Sequence, residues 1–388
     1  MIEMQNDRLA ICVVGYNRLY SIKRLLQSLL WARYDMENVP LVISIDCSGA
    51  TDLYAYVNEF EWPFGKKYVI IREERLGLKE HILRCGDLSQ QFKGVIILED
   101  DIFVSPEFYQ FADKASSFYE QEKRVGGISL FQDEMGSGSV PHIFYNDGSD
   151  AYLKQEPSSW GELWTKDQWS DFGKWLASFQ EEQFADIDMP TAHKLRKKAW
   201  SKYFEAYLIE THKYVVYPYV SHTTCFGEAG EHNSSSSTIG QVNLLSGSRN
   251  YQFRPFDEMT KYDIYDTNLD VYKWAGYDEA NLSVDWYGMN PNLKRKRYIL
   301  TTIKLPLKPI KTFGLLMRPI ELNVKYGIEG EEIYVYDTVD GSSNTEGKDF
   351  PLSVGYYYQR MFRLKLAKKY VIDRYKQLLK RKILNRFC

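Results

Sequence analysis

An apolar run, Val95-Ile96-Ile97-Leu98, stops at three consecutive carboxylates, Glu99-Asp100-Asp101, and continues as Ile102-Phe103-Val104-Ser105-Pro106. A strand buried on both faces is built of Val, Ile and Leu and has no place for charge. The acids therefore mark the point where the strand leaves the core. In open α/β sheets, ligands bind in the crevice outside the carboxyl ends of the strands. Three adjacent carboxylates repel one another there unless a cation joins them. Mg²⁺ or Mn²⁺ carrying a diphosphate suits such a place, because these ions take oxygen ligands and keep positions open for phosphate. The alternative is a solvated acidic turn, so the flanking segments decide.

Those segments alternate between strand and helix patterns. Leu9 to Tyr16 reads as a buried strand, Asn17-Arg18 opens a loop, and Ser21 to Leu30 carries apolar residues at helical spacing. Pro40 to Asp46 is a second strand ending in an acid, and Lys67 to Arg72 is a third. Gly77 to Cys85 and Pro106 to Glu122 read as helices, and Gly127 to Phe131 as a fifth strand. This order predicts a mostly parallel, three-layer α/β domain. Past residue 150 come a tryptophan-rich stretch from Trp160 to Trp175, a predicted helix from Thr191 to Thr211, the strand Tyr214 to Pro218 and a Gly/Ser-rich loop over 227–237. Residues 241–350 are mixed and turn-rich, with strand-like pieces at Tyr298 to Ile303 and Glu332 to Tyr336.

The net charge of −3 over 388 residues hides an asymmetry. Eleven Lys or Arg and one acid lie between Arg360 and Arg386, which leaves the remainder at −13. With its interspersed Leu, Ile and Val, residues 351–388 predict a basic amphipathic helix. Such a helix lies on an anionic membrane surface at about 1 kcal/mol per cation; docking on the body is the alternative. The acidic remainder shows no nucleic-acid recognition motif. No apolar run of about 18 residues predicts a membrane span, and the polar start Met1 to Asp7 is unlike a secretory signal. The five scattered cysteines (Cys12, Cys47, Cys85, Cys225, Cys388) read as thiols in a reducing compartment. Together these predict a cytoplasmic protein, peripheral on the inner face of the membrane.

Four matches, in order, carry a family resemblance: Val14-Gly15-Tyr16-Asn17-Arg18; Ser44-Ile45-Asp46-Cys47; Glu99-Asp100-Asp101 with Pro106 and Phe108; and Trp160-Gly161-Glu162-Leu163-Trp164 followed by Tyr217-Pro218 and the Gly-rich loop. The chain resembles nucleotide-sugar glycosyltransferases of the GT-A fold, and is most similar to the N-acetylglucosaminyltransferase I type and related bacterial polysaccharide enzymes. The resemblance covers roughly 8–240 and implies a GT-A catalytic domain over 1–240, with a nucleotide-sugar half (1–135) and an acceptor half (136–240). It implies a metal-dependent, inverting transfer from a UDP-sugar to a glycan or lipid-linked acceptor in surface polysaccharide synthesis. Asp101 would bind Mn²⁺ or Mg²⁺, with His232 as a further ligand. Glu99 and Asp100 would contact the donor ribose or sugar, Asp46 the uracil, and Asn17 and Arg18 the nucleotide. The family's base, an Asp after a Trp, does not match, because Trp200 is followed by Ser201. Glu162 and then Glu205 are the substitutes, and Trp160 and Trp164 are candidates to stack on sugar rings. A nucleotidyltransferase is the first rival, although the single-glycine loop at Gly15 counts against it. A non-catalytic glycan-binding or scaffold protein is the second.

Overall fold

The structure is a computed structural model that describes residues 6–136, 141–196, 199–228, 237–340 and 364–384. It divides into two compact units, Met1–Ser137 with His142–Val271, and Gly138–Pro141 with Tyr272–Cys388.

The first unit is built on strands β1 (Asn6–Gly15), β2 (Leu41–Ile45), β3 (Lys67–Ile71), β4 (Phe92–Glu99), β6 (Val125–Ser129), β7 (Ala151–Lys154), β8 (Glu162–Thr165), β9 (Tyr214–Pro218) and β11 (Lys261–Tyr262). They form one nine-stranded sheet in the order β11-β7-β9-β6-β8-β4-β1-β2-β3. Five of the eight pairings are parallel. Only β8, inserted between β4 and β6, and the β7–β9 pair run antiparallel.

The apolar run of β1 is explained by its place between β2 and β4. Leu9, Ile11 and Val13 face one core, which holds residues of α1 (Leu19–Trp31), α2 (Thr51–Glu59) and α4 (Phe108–Phe118). Ala10, Cys12 and Val14 face a second core with residues of α3 (Leu78–Gly86), α5 (Lys166–Ser178) and α7 (Trp200–Glu210). Both faces of the strand are covered, so alternation disappears from the sequence. The helices keep theirs: α1 buries Ile22, Leu25, Leu26 and Leu29, one stripe at helical spacing. The result is the three-layer α/β arrangement expected.

The predicted helix Thr191–Thr211 is two helices. A short α6 (Thr191–Lys194) stops before α7 begins at Trp200, with Ala199 extended at its start. In a continuous helix, residues twelve apart stand roughly 18 Å from each other. The break lets His193 fold back on Glu205, Nδ1 to Oε2 3.2 Å.

The second unit holds β12 (Leu282–Asp285), β13 (Tyr298–Thr301), β14 (Lys311–Phe313) and β15 (Ile333–Asp337), in the order β12-β13-β15-β14. Leu293, Ile299, Leu305, Tyr334 and Tyr336 fill its core. A C-terminal helix, Leu364–Leu384, leaves Leu366, Tyr370, Val371, Ile372, Tyr375 and Leu379 exposed. Among the described residues no helix is long and apolar enough to cross a membrane.

Candidate functional site

The parallel strands β1, β2 and β4 deliver their carboxyl ends to one edge of the sheet, with Val14 opposite Glu99 and Gly15 opposite Ile45. Arg18, just after β1, hydrogen-bonds both oxygens of Asp100, with Nε to Oδ2 at 3.2 Å, and its Nη2 lies 3.2 Å from Asp101 Oδ2. Residues 82 and 83 positions apart thus meet as one cluster. Burial works against the Arg18 charge, but the Asp100 bond and the charges of Asp100 and Asp101 outweigh it and raise its pKa. Asn17 is exposed on the bend beside it.

The carboxylates pay a visible cost for their crowding. Glu99 is pushed up to about 8, first by desolvation and then by Asp101 and Asp100. Asp100 is raised to about 6 by burial, against the pull of Arg18. One arginine does not neutralise three acids, and oxygen donors clustered with uncompensated charge fit a hard divalent cation. Asp101, partly open to solvent, is the acid placed to meet it.

The short pair β5 (Ile102–Val104) and β10 (Thr223–Cys225) ties a distant segment to this edge. Phe226 N–H donates to the Asp101 carbonyl at 2.9 Å, and Glu228 is held by Ser21 (2.7 Å) and Arg24 on α1. The base of the Gly-rich loop is therefore anchored at the acid edge. His232 itself lies outside the described residues.

Asp46 takes a structural task. Its Oδ1 accepts from the N–H groups of Cys47 and Leu76, and its Oδ2 from Gly77, all at 2.9 Å. The carboxylate thereby pins the loop after β3 to the end of β2. Gly77 supplies the left-handed turn (φ +75°) that such a close return needs.

Glu162 opens β8 opposite Ile97, on the sheet face that also carries Glu99 two residues further along β4. It is buried, accepts from Ser158 N–H at 2.6 Å and from Trp164 Nε1 at 3.1 Å, and is raised to about 8 by burial. Gly161 precedes it at φ +110°, a turn that only glycine makes readily.

Two of the expected residues lie in the core. Trp164 is fully buried among Trp169, Trp200 and Phe204, so it packs the core and cannot stack on a sugar. Glu205, offered as a base, is fully buried and bound to His193 and Arg196, each at 3.2 Å. Its side chain serves a packed helix pair rather than an open acceptor pocket.

The sequence reading missed a buried polar cluster. Lys154, fully buried on β7, lies 2.9 Å from Asp266, 2.7 Å from Glu156 and 3.9 Å from Asp133. Burial raises Asp133 to about 7 in spite of the lysine. One signal was available: a lysine closing an otherwise apolar strand, Ala151-Tyr152-Leu153. A cation there must meet carboxylates, because an unpaired buried charge is too costly.

No family model matches the chain. It is similar to the alpha-1,3-mannosyl-glycoprotein 2-beta-N-acetylglucosaminyltransferase of Arabidopsis thaliana, 30% identical over 105 residues, 25% of this chain and 23% of that protein. The chain thus spans about a quarter of the length of that relative. Among solved structures it is similar to the mannosyltransferase PcManGT from Pyrobaculum calidifontis in complex with GDP-Man and Mn²⁺, at 13% identity over 55% of this chain and 57% of that one, TM-score 0.35. It is also similar to S. aureus TarS in complex with UDP-GlcNAc, at 17% identity over 59% of this chain and 61% of that one, TM-score 0.37. The Arabidopsis relative is an N-acetylglucosaminyltransferase, the type that the motifs resemble, over that part of the chain.

Proposed function

We propose that this chain is a metal-dependent, inverting glycosyltransferase that moves a sugar from a UDP donor to a glycan or lipid-linked acceptor in surface polysaccharide synthesis. The observation that carries the reading is the union of Arg18 with Asp100 and Asp101 at the carboxyl ends of β1 and β4. Asp101 would hold the Mn²⁺ or Mg²⁺, with His232 joining from the loop that leaves the acid edge. Bound there, the metal neutralises charge on the departing diphosphate. Arg18, already fixed by Asp100, orients the nucleotide with Asn17, and Glu99 and Asp100 accept from donor hydroxyls. Asp46 shapes the base pocket through the loop it pins, and Oδ2, with one amide bound, keeps capacity for a uracil N–H.

Glu162 is the proposed base. It shares a sheet face with Glu99, and burial holds its proton affinity high enough to take one from an acceptor hydroxyl. The basic C-terminal helix, with its exposed apolar side chains, would rest on the anionic inner face of the membrane, where a lipid-linked acceptor resides.

UDP release from a panel of UDP-sugars, with and without Mn²⁺, tests the reading. Release stimulated by the metal and abolished in Asp101→Asn is expected. A UDP-sugar turnover that ignores both the metal and that substitution would overturn it.

A further inference from the structure

The break between α6 and α7 gathers three metal-binding side chains away from the acid edge. Glu156 from the segment after β7, His193 on α6 and Glu205 on α7 each bring one ligand atom within 4.8 Å of the others. His193 and Glu205 are almost wholly buried. Glu156 Oε2 is ion-paired with Lys154 Nζ at 2.7 Å. His193 Nδ1 and Glu205 Oε2 approach to 3.2 Å, yet neither atom completes a hydrogen bond. Buried polar atoms are normally hydrogen-bonded, so two ligand atoms that face each other in the core without one call for a further partner.

The neighbours hold the ligands and do not close the gap. Arg196 takes the other oxygen of Glu205 at 3.2 Å. Lys154, 2.7 Å from Glu156, divides its charge with Asp266 and Asp133. Outer partners of this kind fix ligating carboxylates in known metal sites.

We propose that Glu156, His193 and Glu205 form a second divalent-metal site, with Zn²⁺ as its ion. One imidazole and two carboxylates suit zinc, which accepts nitrogen and oxygen ligands at about 2.0–2.2 Å in a four-coordinate shell. A contraction of the 4.8 Å cluster by side-chain adjustment, with water or a second carboxylate oxygen as fourth ligand, completes it. The ion would staple α6 and α7 to the segment that leads into Glu162, a structural role independent of what the acid edge transfers.

The experiment is Zn²⁺ titration calorimetry of chelator-stripped full chain, with Co²⁺ absorption as a spectroscopic check. The background is Asp101→Asn, which removes the acid-edge ligand. One Zn²⁺ per chain is expected there, with a rise in Tm of several degrees and Co²⁺ bands in the visible. His193→Ala should weaken binding by at least a hundredfold and erase the bands. Glu156→Gln, whose side chain is nearest the surface, repeats the test where His193→Ala unfolds the protein. Absence of stoichiometric Zn²⁺ binding in Asp101→Asn, or undiminished binding in the folded Glu156→Gln and His193→Ala variants, overturns the site.

Discussion

The acid edge and the buried cluster are both built from carboxylates around a single cation, yet they are opposite designs. At the edge, Arg18 faces Asp100 and Asp101 while Glu99 and Asp100 are driven up in pKa, and Asp101 stays partly open to solvent. In the cluster, Lys154 is sealed among Asp133, Glu156 and Asp266. Both hold more carboxylates than cations, and the difference between them is access: Asp101 is open at the edge, where a ligand can relieve the repulsion, while Lys154 is sealed in the core.

Substitutions at the two places should therefore fail in different ways. Asp101→Asn should cut metal-stimulated transfer by about 10³-fold or more, since several kcal/mol of charge stabilisation go with the metal. Its stability in urea should hold or rise, because Glu99 loses a repelling neighbour. Lys154→Met should do the reverse at the level of the fold. It leaves buried carboxylates uncompensated, at a cost of about 3–5 kcal/mol. Denaturant midpoints for the pair are the check: an Asp101→Asn protein as unstable as Lys154→Met would erase the distinction between the two places.

Asp46 stands between the two designs. Its carboxylate satisfies the amides of Cys47, Leu76 and Gly77 beside the acid edge. Asp46→Ala orphans those donors and should cost roughly 1–3 kcal/mol. Donor binding should weaken in parallel as the loop loosens. Calorimetric UDP binding that is unchanged in a destabilised Asp46→Ala protein would confine the residue to loop structure.

Residues that are contiguous, or at strand ends, were legible in the sequence. The acid triplet announced the end of β4 because charge is excluded from a doubly covered strand, and β1 to β4 followed from the same rule. What escaped were partners far apart in the chain. Nothing in the spacing of Lys154, Asp266, Glu156, His193 and Glu205 announces a cluster, because the fold brings them together through the separation of α6 from α7 and a late strand at Lys261–Tyr262. Trp164 was misjudged for a related reason. An indole that stacks on a sugar and one that packs against Trp169 have the same local sequence, and only the paired strand β4 decides which way it faces.

Glu162 offers the sharpest discrimination, because it belongs to the proposed site by position and to the core by burial. Its pKa is raised from 4.5 to about 8 by desolvation, against the bonds from Ser158 and Trp164. Below pH 4.5 folded and unfolded chains both carry the proton. Between 4.5 and 8 the folded state keeps a proton that the unfolded state has released, so stability falls as pH rises through that window. Above 8 both are ionised and the loss is complete. The slope is at most about 1.4 kcal/mol per pH unit for one group. Glu162→Gln should flatten this component of the stability profile while lowering the transfer rate by about 10²–10⁴-fold. In the unsubstituted protein the rate should climb toward pH 8 as the base is freed, even as stability declines. A Glu162→Gln protein with the same pH–stability curve and the same rate would return Glu162 to the core as one more buried carboxyl, and the acid edge would then need its base from elsewhere.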